Sequence, residues 1–127
     1  MRFLLLLTVG IAATPVAASE LTDADIKSEI VGRTIYLAAP LGGEFPLNYR
    51  PNGVVDGDGQ ALGLGRLAKP SDRGRWWVRG GRLCQQFESW YNGKPMCFVL
   101  SRAAPGTVAW LRDDGERGVA RIGGAVK

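Results

Sequence analysis

From Arg33 onward the chain breaks into short apolar-rich runs, and Gly, Pro, Asn or Asp clusters separate them at intervals of about ten residues. Inside the runs hydrophobic positions recur every second residue: Ile35 with Leu37, Phe45 with Leu47 and Tyr49, Trp76 with Val78, Met96 with Phe98 and Leu100, and Val108 with Trp110. A period of two puts each set on one face of a strand. The pattern predicts strands near residues 33–38, 45–50, 53–56, 61–66, 75–79, 82–90, 96–101, 107–112 and 118–122. Pro51-Asn52-Gly53, Asp56-Gly57-Asp58-Gly59, Gly80-Gly81, Asn92-Gly93, Pro105-Gly106 and Asp113-Asp114-Gly115 read as the turns between them. Links this short exclude parallel crossovers. The fold class expected is all-β, a small antiparallel up-and-down barrel of about eight strands, because closing the meander removes its exposed edges.

One segment departs from that period. Thr22 is placed to cap a short helix over residues 23–30, with Asp23 and Asp25 where the helix dipole favours negative charge and Ile26 and Ile30 on one face. Gly32 ends it. Further upstream, Arg2 precedes an apolar run from Phe3 to Ala13 broken by Thr8 and Gly10, then Pro15-Val16-Ala17-Ala18-Ser19. This reads as a signal peptide, residues 1–19, cut after Ala18 or Ser19, because the run is shorter than the roughly 20 residues a membrane span needs. Residues 20–127 then form a single domain, and the place of action is the bacterial periplasm or the exterior.

The two cysteines, Cys84 and Cys97, lie beyond that signal, so a disulfide between them is expected. A two-residue turn at Asn92-Gly93 would leave the thiols out of step. Pairing them requires a loop of about six residues from Glu88 to Gly93, which also sets Leu83 opposite Phe98 and pushes Trp90 and Tyr91 to the loop tip as a contact surface. A bridge of this length contributes about 3 kcal/mol.

Charge adds one feature. The part after residue 19 carries fifteen basic residues, sixteen less Arg2, against twelve acidic ones. Between Arg66 and Arg82 stand Lys69, Arg73, Arg75 and Arg79 with Asp72 as the single acid. Period two puts Trp77 on the outward face between Arg75 and Arg79, an indole between guanidinium groups that suits a flat or anionic ligand. A solvated basic face shielding a surface Trp is the plainer account of the same residues.

Catalytic and metal patterns are weak. The chain has no histidine to act as a base. The acids Asp56, Asp58, Glu88, Asp113, Asp114 and Glu116 sit mostly in turn clusters, where Asp beside Gly has a conformational role. Asp56-Gly57-Asp58 lacks the further oxygen ligands a calcium loop needs. No cofactor or metal is expected, and the protein is read as non-catalytic.

The order Gly32-x-Thr34-Ile35-Tyr36, Tyr49-Arg50-Pro51-Asn52-Gly53, Gly74-Arg75-Trp76-x-Val78, Leu83-Cys84 and Cys97-Phe98-Val99 resembles a widespread group of uncharacterised small exported bacterial proteins with a Gly-x-Trp-x-Val, Leu-Cys, Cys pattern. Its Gly-x-Trp element is also similar to the opening strand of lipocalin-like and avidin-like barrels, though here it lies mid-chain. That likeness implies architecture alone.

The leading expectation is an exported binding or accessory module that uses a basic, aromatic-bearing surface: Arg75, Trp77, Arg79, Arg82, Trp90 and Tyr91. Two alternatives stand beside it, a lipocalin-like carrier of a small apolar or anionic ligand and an inhibitor of a secreted enzyme. The partner is an unknown protein, such a ligand, or an anionic envelope surface touched peripherally; export argues against nucleic acid. An open apolar interior of at least about 300 Å³ is what distinguishes the carrier.

Overall fold

The computed structural model describes residues 3–10, 19–38, 43–59 and 70–127. Residues 3–10 carry no secondary structure and are exposed, Phe3 and Leu4 through Leu7 among them. The rest of the proposed signal, and the strand expected near 61–66, lie outside the described residues.

Helix α1 (Asp23–Glu29) precedes eight strands: β1 (Arg33–Ala38), β2 (Glu44–Tyr49), β3 (Val54–Asp58), β4 (Ser71–Arg79), β5 (Arg82–Phe87), β6 (Met96–Arg102), β7 (Thr107–Arg112) and β8 (Arg117–Ala125). Each strand pairs antiparallel with the next, and β1 pairs with β8 to close the barrel. Alternation chooses the faces as expected. Ile35 opposes both Leu47 and Ile122, Leu83 opposes Phe98, and Val108 opposes Ala120, all on the inward side.

The turns follow their sequences. Gly80 and Gly81 both have positive φ, 58° and 77°, in the two-residue link that sets Arg79 opposite Arg82. Asp56-Gly57-Asp58 is a correction, because it runs as strand β3, with Gly57 opposite Leu47 on one side and Asp72 on the other. A residue type common in turns was outweighed here by an inward position that tolerates no side chain: a β-carbon on Gly57 would stand 2.8 Å from Leu47 and 2.9 Å from Trp90.

Helix α1 seals one end of the barrel. Thr22 and Asp25 form a reciprocal cap, each backbone N–H donating to the other's side chain at 3.0 and 3.1 Å. Those bonds with Thr22 hold the Asp25 carboxyl below its usual range. Leu21, Ile26 and Ile30 are buried beneath the helix. Three ties fix it: Leu21 N–H donates to Leu100 O at 2.8 Å, Gly81 N–H donates to the Asp23 carboxylate, and Arg102 bonds Glu29 at 2.6 Å. The opposite end receives the β5–β6 and β7–β8 connections.

Candidate functional site

The residues singled out in the sequence fall into two separate places. Arg75, Trp77, Arg79, Arg82 and the Cys84–Cys97 disulfide share the outer face of β4, β5 and β6. Cross-strand register sets Trp77 opposite Cys84 and Cys84 opposite Cys97, so these side chains form one row. The Arg75 guanidinium lies 5.7 Å from the Trp77 ring and also donates to Gln86 Oε1 at 3.3 Å. Trp77 is therefore half-buried between an arginine and a disulfide. Such a bridge is compatible with an oxidising compartment.

Trp90 and Tyr91 lie elsewhere, at the open end, and Trp90 is the second correction. It does not project from the loop tip. Its ring turns back into the barrel mouth, 5.2 Å from Phe45 and 5.1 Å from Phe87, over the gap left by Gly57. Asp72, buried on the inward face of β4, fixes the turn: its Oδ2 accepts from the backbone N–H of both Ser89 and Trp90 at 2.8 Å. Within Trp90–Gly93, Tyr91 and Asn92 both take left-handed backbone with φ of 57°. That conformation is unfavourable for tyrosine and is held by the anchored turn around it. Tyr91 itself is exposed, with the Arg112 guanidinium 5.4 Å from its ring.

Behind these aromatics lies an apolar cavity of about 640 Å³. Toward the helix it is walled by Ile30, Ile35, Leu47, Leu100 and Val108, and toward the mouth by Phe45, Phe87, Phe98, Trp90 and Trp110. Small inward residues leave the room. Ala120 faces Val108, and Gly118 gives its own side-chain space to the facing Trp110 ring, which lies 2.6 Å from where a β-carbon would stand. Polar groups in the wall are sparse. Tyr49 donates its hydroxyl to Gln85 Oε1 inside the barrel, and burial raises the Tyr49 phenol above its ordinary range, so it stays a donor. At the lip Arg112 binds Asp114 through Nε and Nη2, both at 2.9 Å. That pairing raises the Arg112 pKa and lowers that of Asp114.

Arg112 was legible in principle. It continues the Val108 and Trp110 stripe by one more inward step on β7. The roles of Gly57, Asp72 and Gly118 were not, since each depends on a strand or loop distant in sequence. No family model, curated protein or solved structure matches the chain.

The Asp72 anchor carries a prediction. Asp72→Ala is expected to destabilise the fold by about 2 kcal/mol, because two backbone donors lose a charged acceptor but lie near enough to the mouth to find water. Chemical denaturation measures the loss, and the Trp emission maximum should move to the red as Trp90 leaves Phe45 and Phe87. An unshifted spectrum with unchanged stability would show that the turn holds itself.

Proposed function

We propose that this chain is an exported, non-catalytic binding protein that holds a small molecule with an apolar body inside its barrel. One observation carries the reading: an apolar cavity of about 640 Å³ inside the barrel, lined from Ile30 at the helix end to Trp90 and Arg112 toward the other. Its volume lies within the range of about 300–1,000 Å³ found for small-molecule sites. Natural cores fill such space, since an empty apolar void forfeits dispersion contacts along its whole lining. A ligand supplies those contacts.

The absence of histidine from the chain and of carboxylates from the described lining supports binding over bond cleavage. Export is supported by the N-terminal pattern of charge, apolar run and small residues, together with the disulfide. In this reading the Arg75–Trp77 face belongs to the scaffold, with the ring already engaged by its own arginine.

Ala120, 3% exposed and part of the cavity wall, provides the test. Titration with the apolar fluorophore N-phenyl-1-naphthylamine is expected to give saturable uptake. In Ala120→Phe, uptake should weaken by about tenfold or more because the new ring occupies the ligand's space, while thermal stability is kept because the ring fills a void. Equal uptake by both forms would place the probe on the outer surface and reject the interior site.

A further inference from the structure

Tyr49 on β2 and Gln85 on β5 meet inside the barrel, where the tyrosine hydroxyl donates to Gln85 Oε1. Their strands stand three apart in the barrel order, so this bond crosses the interior instead of following the wall. Both residues line the cavity, and no described residue of β3 or β4, the two strands between them, does so. The pair is therefore a polar strip on the side of the cavity toward those strands. Its surroundings are apolar in both directions. Leu83 and Phe87 flank Gln85 on the inward face of β5, and Leu47 precedes Tyr49 on the inward face of β2.

One group of the pair is unused. Gln85 is 3% exposed, and its Nε2 donates to no group among the described residues. Trp110 Nε1 alone among them lacks both a partner and accessible surface. Nε2 therefore keeps accessible surface, and in a side chain this buried that surface belongs to the cavity that Gln85 lines. An amide nitrogen carries two N–H donors. Half a turn of the amide would exchange the roles and free the tyrosine hydroxyl as a donor, so either orientation offers the cavity an uncharged donor.

We propose that the molecule held in the cavity is uncharged and carries a carbonyl oxygen within its hydrocarbon body, which accepts a hydrogen bond from the Tyr49–Gln85 pair. This rests on the interior-binding reading above and adds the polar group to it. A donor that faces apolar space without an acceptor costs stability, which such an oxygen restores. The oxygen sits within the body of the molecule because apolar wall continues on both sides of the pair. A carboxylate in the same place would give up its hydration against a neutral donor. The charged groups of the described lining are Arg112, already paired with Asp114, and Arg117, both on the β7–β8 side.

Competition against N-phenyl-1-naphthylamine on the full chain tests this with fluorene, fluorenone and fluorenecarboxylate, which share one ring system. Fluorenone is expected to displace the probe at least as well as fluorene, although its oxygen is drawn to water, and the carboxylate about tenfold more weakly. Tyr49→Phe combined with Gln85→Leu removes both polar partners at once and leaves neither unpaired. That variant should weaken fluorenone about fivefold relative to fluorene. The carbonyl stretch of bound fluorenone gives a reading on the parent protein that holds even if the variant fails to fold: it should lie below its frequency in hexane. Four results would each overturn the assignment and leave the interior site standing: a fluorenone-to-fluorene ratio equal in parent and variant, a stretch at the hexane frequency, a carboxylate that competes as well as the ketone, or bound probe that fluorenone does not displace. Absence of probe uptake would overturn both.

Discussion

Replacing Gly74 by alanine is expected to lower the unfolding midpoint by roughly 20 °C or more, the largest effect of any single methyl group in this barrel. The reason is a close approach of backbones and not a special dihedral angle. A β-carbon on Gly74 would stand 2.0 Å from the carbonyl oxygen of Gln86 and 2.7 Å from the Phe87 α-carbon. Those atoms belong to β5, the strand hydrogen-bonded to β4, where Gly74 opposes Phe87. A flexible side chain could swing aside, but a strand cannot move without breaking its ladder to β6 as well. Overpacking against mobile side chains costs about 1–3 kcal/mol, and a backbone collision exceeds it, so about 4 kcal/mol is expected. That is a large share of the 5–15 kcal/mol that stabilises a typical domain. Gly124→Ala is the control, since its β-carbon would meet nothing within 4 Å. Thermal unfolding followed by far-UV circular dichroism separates the two. Similar midpoints would mean that β4 and β5 are not held this closely.

Much of this architecture was legible because a barrel obeys local rules. The alternation at Ile35, Leu37, Phe45 and Leu47 specifies which face is inward, and the dipeptides Gly80-Gly81 and Pro105-Gly106 mark hairpins whose register then follows. The Cys84–Cys97 pairing was legible for the same reason. Once Cys84 opposes Cys97, Leu83 must oppose Phe98, and it does. What escaped was interior volume. A stripe of apolar residues reads the same whether the opposite wall presents Leu or Gly, and that wall is set by pairs far apart in sequence. Gly57 looked like a turn residue because it stands between aspartates. Its actual role is to admit the Trp90 ring, which lies over thirty residues away and is turned inward by Asp72. The same blindness separated the proposed surface into two. Arg75, Trp77, Arg79 and Arg82 share an outer face, whereas Trp90 and Tyr91 belong to the mouth of a cavity that no single segment reveals. Local pattern thus describes the wall, and long-range pairing decides what the wall encloses.

That division between wall and interior yields a second large effect with a different signature. The double substitution Cys84→Ala, Cys97→Ala is expected to cost about 3 kcal/mol and to lower the midpoint by roughly 12–24 °C, because a closed loop spanning 13 residues no longer restricts the unfolded chain. Uptake of an apolar probe at 25 °C should nevertheless be unchanged. The bridge lies in the outer row with Trp77, while the cavity-facing neighbours Leu83 and Phe98 keep their pairing through the strand ladder. Substitution is a cleaner test than a reductant, since Cys84 is 2% exposed and a reductant would have to reach the bridge through the partly exposed Cys97. Thermal unfolding and probe titration on the same sample read the two quantities independently. A midpoint within a few degrees of the parent would deny the bridge its role in restricting the unfolded chain. Loss of probe uptake while the far-UV spectrum stays native would show instead that the outer row shapes the interior, and that binding and covalent stapling are not the separable properties that their opposite faces imply.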